Sequence, residues 1–215
     1  RVIVNFRGLD CVTFVENVFA LSRFVRSSEA TSLRNRPGAE ARYQELIEEI
    51  RYRDGQLDGY ASRLHYFSGW IADNARRMLI RDLGVDLEGI HDSEPVDFMT
   101  THVDAYRQLA DFGNLEALRE TERRLSTVGR VFLPETVIPA VADHIQDGDI
   151  IAAMSTVDGL DVAHTGLALW VDGTLRLMHA PLVGDSVQIS EVTLAERIQE
   201  IEGQDGIIVA RPLDR

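Results

Sequence analysis

Cysteine is nearly absent from this chain: Cys11 is the only one in 215 residues. One thiol cannot close an internal disulfide, so the fold must rest on packing, and cysteine usage leaves the compartment open. No run of about 18 apolar residues exists, which excludes a transmembrane helix. The first residues lack the apolar core of a signal peptide, and the chain begins at Arg1 rather than methionine. It reads as a mature or trimmed chain, which leaves room for an upstream export signal. Internal repeats, low-complexity tracts and linkers are also missing, so a single domain over residues 1–215 is expected. Basic residues are in the minority: 22 Lys+Arg stand against 35 Asp+Glu, for a net charge of -13. Nucleic acid and anionic membrane surfaces both require basic patches, and both are excluded as partners. No His-Glu-x-x-His helix or cysteine cluster offers metal ligands, and His65, His91, His102 and His144 are scattered. Neither metal nor cofactor is expected.

What is present is a hydrophobic share of 45%, enough for a real core. Its periodicity changes along the chain. Cys11, Phe14, Val15, Val18 and Val25 follow helical spacing, predicting a helix over about 11–25. Ser27 to Gly38 is polar and reads as loop. Tyr43, Leu46, Ile47 and Ile50 form a second helical stripe, ended by a turn at Arg53-Asp54-Gly55. Leu64, Phe67, Ile71 and Met78 predict a third helix, closed by Gly84; Gly89 to Thr101 reads as loop. Asn114 is the expected N-cap of a helix carrying Leu115, Leu118, Leu125 and Val128. After Gly129 short β-branched runs take over: 130–133, 149–154, 165–171, 175–180, 187–189 and 207–211, with a short helix at about 194–201. Helices first and strands second is α+β: a helical insertion over about 27–128 and an antiparallel sheet over about 130–213.

Cys11 sits where an apolar stretch gives way to the first helix. A helix start offers unpaired backbone N–H groups and the positive end of the dipole, which favour thiolate, the nucleophilic form. A small buried hydrophobe is the competing reading of a lone cysteine. Far along the chain, Asp172-Gly173 between Val171 and Thr174 is a type I′ hairpin signal. That turn sets a register in which Gly166 lies opposite His179 and His164 opposite Pro181. His164 and His179 are then diagonal neighbours on one face, about 7–8 Å apart, with Gly166 leaving room for the rings. One imidazole as base and one as orienter is what thiol chemistry requires. Two sheet histidines with no joint role is the alternative.

These pieces resemble a known family. Asp10-Cys11-Val12-Thr13-Phe14-Val15 resembles the nucleophile helix of NlpC-type, papain-like cysteine peptidases. His164-Thr165-Gly166-Leu167-Ala168 and Met178-His179-Ala180 resemble their two histidine strands. Arg51-Tyr52-Arg53-Asp54-Gly55, Ser62-Arg63-Leu64-His65-Tyr66 with Trp70, and Gly159 to His164 are similar to a narrower branch, the N-acetylmuramoyl-L-alanine amidase-like family. Val12 and Thr13 replace the Ser-Gly of the wider superfamily, and Pro181-Leu182 stand where the branch often has serines. The resemblance implies a papain-like fold, with the nucleophile helix packed on the sheet. It implies a periplasmic or lipoprotein-anchored enzyme of cell-wall recycling that cleaves the muramic acid–L-alanine amide, with 1,6-anhydro-muropeptides as substrate and partner. Cys11, His164 and His179 would be catalytic, and the Cys11 N–H with Asn5 would form the oxyanion site, the capping of a turn being the alternative for Asn5. Arg51 and Arg53 would clamp stem-peptide carboxylates, with a solvated helix end as the competing reading, and Tyr66 and Trp70 would stack on sugar, with core packing as the alternative for Trp70. Ser62, Arg63, His65 and Asp161 are further substrate-binding candidates. Two alternatives stand beside it: an endopeptidase cutting between D-glutamate and the diamino acid, and a non-catalytic muropeptide-binding module.

Overall fold

The computed structural model describes residues 2–27, 38–181 and 186–214. Helix α1 spans Cys11–Arg26 and buries Phe14, Val15, Phe19 and Ala20 along one face. Asp10 starts it with a capping box: Asp10 Oδ1 accepts from Thr13 N at 2.7 Å, and Thr13 Oγ1 accepts from Asp10 N at 2.9 Å. Helix α2 (Ala39–Arg51) and helix α3 (Phe67–Arg76) follow. The expected third helix is shorter than its hydrophobic pattern. Met78 turns left-handed (φ 58°) and ends it, and strand β1 (Ile80–Asp82) occupies the remainder. The expected loop over 89–101 contains strand β2 (Ile90–Asp92) and helix α4 (Phe98–Thr101). Helix α5 (Phe112–Val128) is capped by Asp111 rather than Asn114, whose backbone N–H donates to the Asp111 side chain. Strand β3 (Arg130–Pro134), helix α6 (Ile138–Val141), strands β4 (Ile150–Ser155), β5 (Val162–Val171), β6 (Thr174–His179) and β7 (Gln188–Ile189), helix α7 (Leu194–Gln199) and strand β8 (Gln204–Pro212) complete the order. The polar stretch expected as loop lies mostly outside the described residues, as does Leu182.

All strand pairs are antiparallel. The sheet runs β2-β3-β8-β4-β5-β6-β7, with β1 beside the end of β8 that β3 leaves free. The β5–β6 hairpin has the predicted register, Val171 opposite Thr174 and Leu167 opposite Met178. Asp172 (φ 50°) and Gly173 (φ 75°) are both left-handed, as a type I′ turn requires. One large core packs α1, α2 and α3 on one face of the sheet, through Val15, Phe19, Ile47, Trp70, Ile150 and Ile208. The opposite face is covered by α6 and α7, through Ile138, Leu177, Leu194, Ile198 and Val209.

A buried ion pair fixes α1. Arg51 Nε donates to Glu16 Oε2 at 2.7 Å, with side-chain exposures of 7% and 1%. Arg51 Nη1 also reaches Ile3 O at 3.3 Å, tying the N-terminal segment to α2. Burial pushes the Glu16 carboxyl up, while Arg51 and Arg63 pull it back. Beside it Tyr43 OH donates to Asn17 Oδ1 at 2.5 Å, and Asn17 Nδ2 donates to Thr13 O at 2.6 Å. Removing one partner strands a buried charge. Arg51→Met should therefore cost about 3–5 kcal/mol in urea unfolding, and adding Glu16→Leu should recover most of that loss. A single-variant loss under about 1 kcal/mol would show the pair to be dispensable.

Candidate active site

Cys11 is the first residue of α1 and is partly exposed. An α-helix leaves its first N–H groups without intrahelical partners. Here the capping box takes up those of Asp10 and Thr13, which leaves the N–H groups of Cys11 and Val12 at the helix mouth. The Cys11 thiol makes no hydrogen bond among the described residues. Helix α1 packs against β5, which carries His164, and touches β6, which carries His179.

The two histidines meet. His164 Nε2 and His179 Nδ1 are 2.7 Å apart, with the rings nearly perpendicular (89°) and their centroids 4.9 Å apart. Only one of the two facing nitrogens can carry a proton at this distance. If it is His164 Nε2, then His164 Nδ1 holds a free lone pair and can accept a proton. His179 is buried at 5% exposure and His164 is half-buried. Burial pulls His164 down to about 4, reinforced by His179 and by the Arg197 guanidinium. Burial and then Arg197 pull His179 down as well. Both rings are therefore neutral at pH 7. Two features of the strands set this contact. The β4–β5 register shifts where His164 pairs with Ala153 and Val162 with Met154, and such irregularities re-aim side chains. Gly166 serves strand approach rather than ring clearance, because a Cβ there would lie 2.6 Å from Met178 O and 2.7 Å from Leu177 Cδ1.

The remaining sequence candidates divide. Four are buried in roles that leave no surface for a substrate. Arg51 is spent on Glu16. Tyr66 donates to Glu122 Oε1 at 2.6 Å and accepts from Met99 N at 2.8 Å. Trp70 is wholly buried against Phe67 and Phe19. Asp161, 1% exposed, accepts from Ser68 N at 2.7 Å and Val162 N at 2.8 Å, stitching α3 to the start of β5. The clamp expected of Arg51 and the sugar stacking expected of Tyr66 and Trp70 are corrected accordingly: the helical stripe marked core. Asn5 is exposed, and its Oδ1 accepts from Arg7 N at 2.9 Å, a local turn. Ser62 Oγ accepts from Asp58 N and donates to Gly59 O, both at 2.9 Å.

Others stay accessible. Arg53 Nη2 donates to Thr121 Oγ1 at 3.0 Å, and Arg53 and His65 line a pocket of about 350 Å³ with Arg76 and Arg124. His65 stacks on Tyr60 with centroids 4.4 Å apart, and burial pulls it down to about 4. The Arg63 side chain makes no hydrogen bond among the described residues, yet its charge reaches Glu16 on α1. Sequence reasoning missed Glu16, Glu122 and Arg197. Only the Asp10-x-x-Thr13 capping pattern, which places Cys11 at the helix start, was available as a local signal.

Helices packed on antiparallel strands form a mixed fold of the amidase-like class. The chain belongs to the N-acetylmuramoyl-L-alanine amidase-like family, whose model matches residues 1–207. It is similar to the crystal structure of an N-acetylmuramoyl-L-alanine amidase from Bacteroides uniformis: TM-score 0.89, 32% identity, covering 100% of this chain and 87% of that one. It is also similar to a putative xylanase from Bacteroides fragilis, with TM-score 0.87, 31% identity and coverage of 98% and 90%. A protein of Legionella pneumophila shares the fold at TM-score 0.63 and 20% identity, with coverage of 95% and 76%. No curated protein matches the chain.

The neutral histidines make stability depend on pH. An unfolded histidine takes up its proton near 6.5, whereas His65 and His164 do so only near 4 in the fold. Native protein therefore binds fewer protons between these values, and the stability present above pH 6.5 falls as pH drops toward 4. His65→Phe should flatten this slope, read as urea midpoints between pH 7 and 4.5. An unchanged slope would refute the assignment of His65 as a buried neutral group.

Proposed function

We propose that this protein is a cysteine amidase that hydrolyses the N-acetylmuramoyl-L-alanine bond of peptidoglycan fragments. The observation that carries this reading is the 2.7 Å His164–His179 contact on the strands that α1 packs against, with Cys11 at the mouth of that helix. The family and the Bacteroides uniformis relative support an amidase, hence a hydrolase acting on peptidoglycan. A xylanase would need two carboxylates flanking the scissile bond, and the charged side chain acting on this histidine pair is an arginine.

In the proposed reaction the Cys11 thiol passes its proton to His164 Nδ1 as the sulfur attacks the lactyl carbonyl carbon. His164 Nε2–H donates to His179 Nδ1, which holds the ring and stabilises the imidazolium. The Cys11 N–H receives the developing oxyanion. The tetrahedral intermediate collapses, the C–N bond breaks, and His164 returns the proton to the L-alanine nitrogen. Water then cleaves the muramoyl thioester, releasing the carboxylic acid and restoring the thiol. We assign substrate contact to Arg53, Ser62, Arg63 and His65. The substrate we infer is a 1,6-anhydro-muropeptide, met outside the cytoplasm as peptidoglycan chemistry requires. No helix among the described residues is long and apolar enough to cross a membrane.

Incubation with anhydro-muropeptides and mass spectrometry tests this. Release of a peptide beginning with L-alanine is expected. An L-alanyl-D-glutamate dipeptide on the sugar would identify an endopeptidase instead. Cys11→Ala should lower turnover by about 10³-fold or more while binding persists; wild-type turnover in that variant would refute the thiol's role, and binding without turnover by the parent would leave a muropeptide-binding module.

A further inference from the structure

Strand alternation puts Leu175, Leu177 and His179 of β6 on one face. Leu175 and Leu177 pack there against Leu194 and Ile198 of α7, so α7 covers the row that ends at His179. Arg197 lies on this helix, between those two contacts. It is half-buried; its Nη1 is fully buried and has no hydrogen-bond partner among the described residues. Buried donors are rarely left so. Glu200 is the carboxylate that acts on it, and burial pushes the guanidinium down.

We propose that Arg197 is a positioning residue of the candidate centre, its charge denying the His164–His179 pair a second proton so that His179 remains an acceptor for His164. The contact works only while one facing nitrogen is bare. Two protonated rings would set N–H against N–H at 2.7 Å. The elements around the pair supply other charges. Helix α1 carries Glu16, Arg23 and Arg26, with Asp10 at its cap and the Cys11 thiol at its start. Glu16 is matched by Arg51, Arg23 by Glu49 and Arg26 by Asp214, and Asp10 is bonded to Thr13. Strand β6 carries Arg176, which donates to Ser190 O. Helix α7 carries Glu196, engaged with Thr193. Strands β4 and β7 carry none. Arg197 is the charged group that acts on both rings. On the amidase reading, on which the catalytic consequence rests, the same charge makes the His164 imidazolium a stronger acid toward the leaving nitrogen.

Histidine-selective NMR titration in a Cys11→Ala background tests this without any turnover. Arg197→Gln should raise the midpoints of both His164 and His179 by about half a pH unit or more. Arg197→Lys, which keeps the charge, should leave them within about 0.2 unit. His65 is the internal control and must stay low; should it rise with the others, Arg197→Met, which keeps the apolar stem, replaces the glutamine variant. Unchanged midpoints on loss of the charge, or equal rises with lysine, overturn the proposal. Neither outcome depends on which amide is cut, so a failed amidase assay remains distinguishable.

Discussion

The placement of Cys11 depends on a charge pair held almost wholly out of solvent. Glu16 lies one and a half turns into α1, and Arg51 closes α2 onto it at 2.7 Å. Two helices and the incoming N-terminal segment are thereby locked at one point, because the same guanidinium holds Ile3 O. A hydrophobic contact there would tolerate sliding by a fraction of a turn. A hydrogen-bonded pair in a low-dielectric core does not, since any displacement leaves two charges partly unpaired. The chain contains no lysine, so every such cation is a planar fork able to bond in two directions at once. Arg77 does the same at the end of α3, reaching Asp73, Asn74 and Glu49 O.

The histidine half of the site is positioned by different means. The Asp172-Gly173 turn sets which residues of β5 and β6 face one another, and Gly166 lets the two strands close up. The start of β5 is then pinned from the helical side by Asp161, whose carboxylate takes the N–H groups of Ser68 and Val162. One strand is thus registered at its hairpin end by backbone geometry and at its other end by a buried acceptor. Both constraints converge on His164, three residues beyond Asp161.

This division explains what could be read from the sequence. The turn, the strand alternation and the first helix are local properties, and the β5–β6 register that makes His164 and His179 diagonal neighbours follows from the first two. Cap and turn chemistry was nearly as legible, although Asp111 displaced Asn114 because a cap must precede the first helical residue. Strands β1 and β2 were not legible. Each has only three residues, and each exists because β8 or β3 offers an edge, which no local pattern announces. The same limit applies to side-chain roles. Arg51, Tyr66 and Trp70 stand in motifs that resemble a family's, but resemblance says nothing of which way a side chain turns. Partners 35 and 56 residues away decided that Arg51 and Tyr66 turn inward.

The resting electrostatics of the site fit its proposed chemistry in one further respect. Among the described residues neither histidine has a carboxylate to stabilise a positive charge; burial and Arg197 both oppose one. A centre built to hold a standing imidazolium would place an acid where His179 sits. A neutral imidazole there accepts the hydrogen bond from His164 without binding its proton permanently. In the proposed reaction it would support the cation while the thiol is consumed and let the proton go once a nitrogen leaving group appears. An amide is the substrate for which this matters most, because its nitrogen must be protonated before it departs. On the proposed amidase reading, the His–His pairing suits a poor leaving group through the choice of the second residue rather than the first.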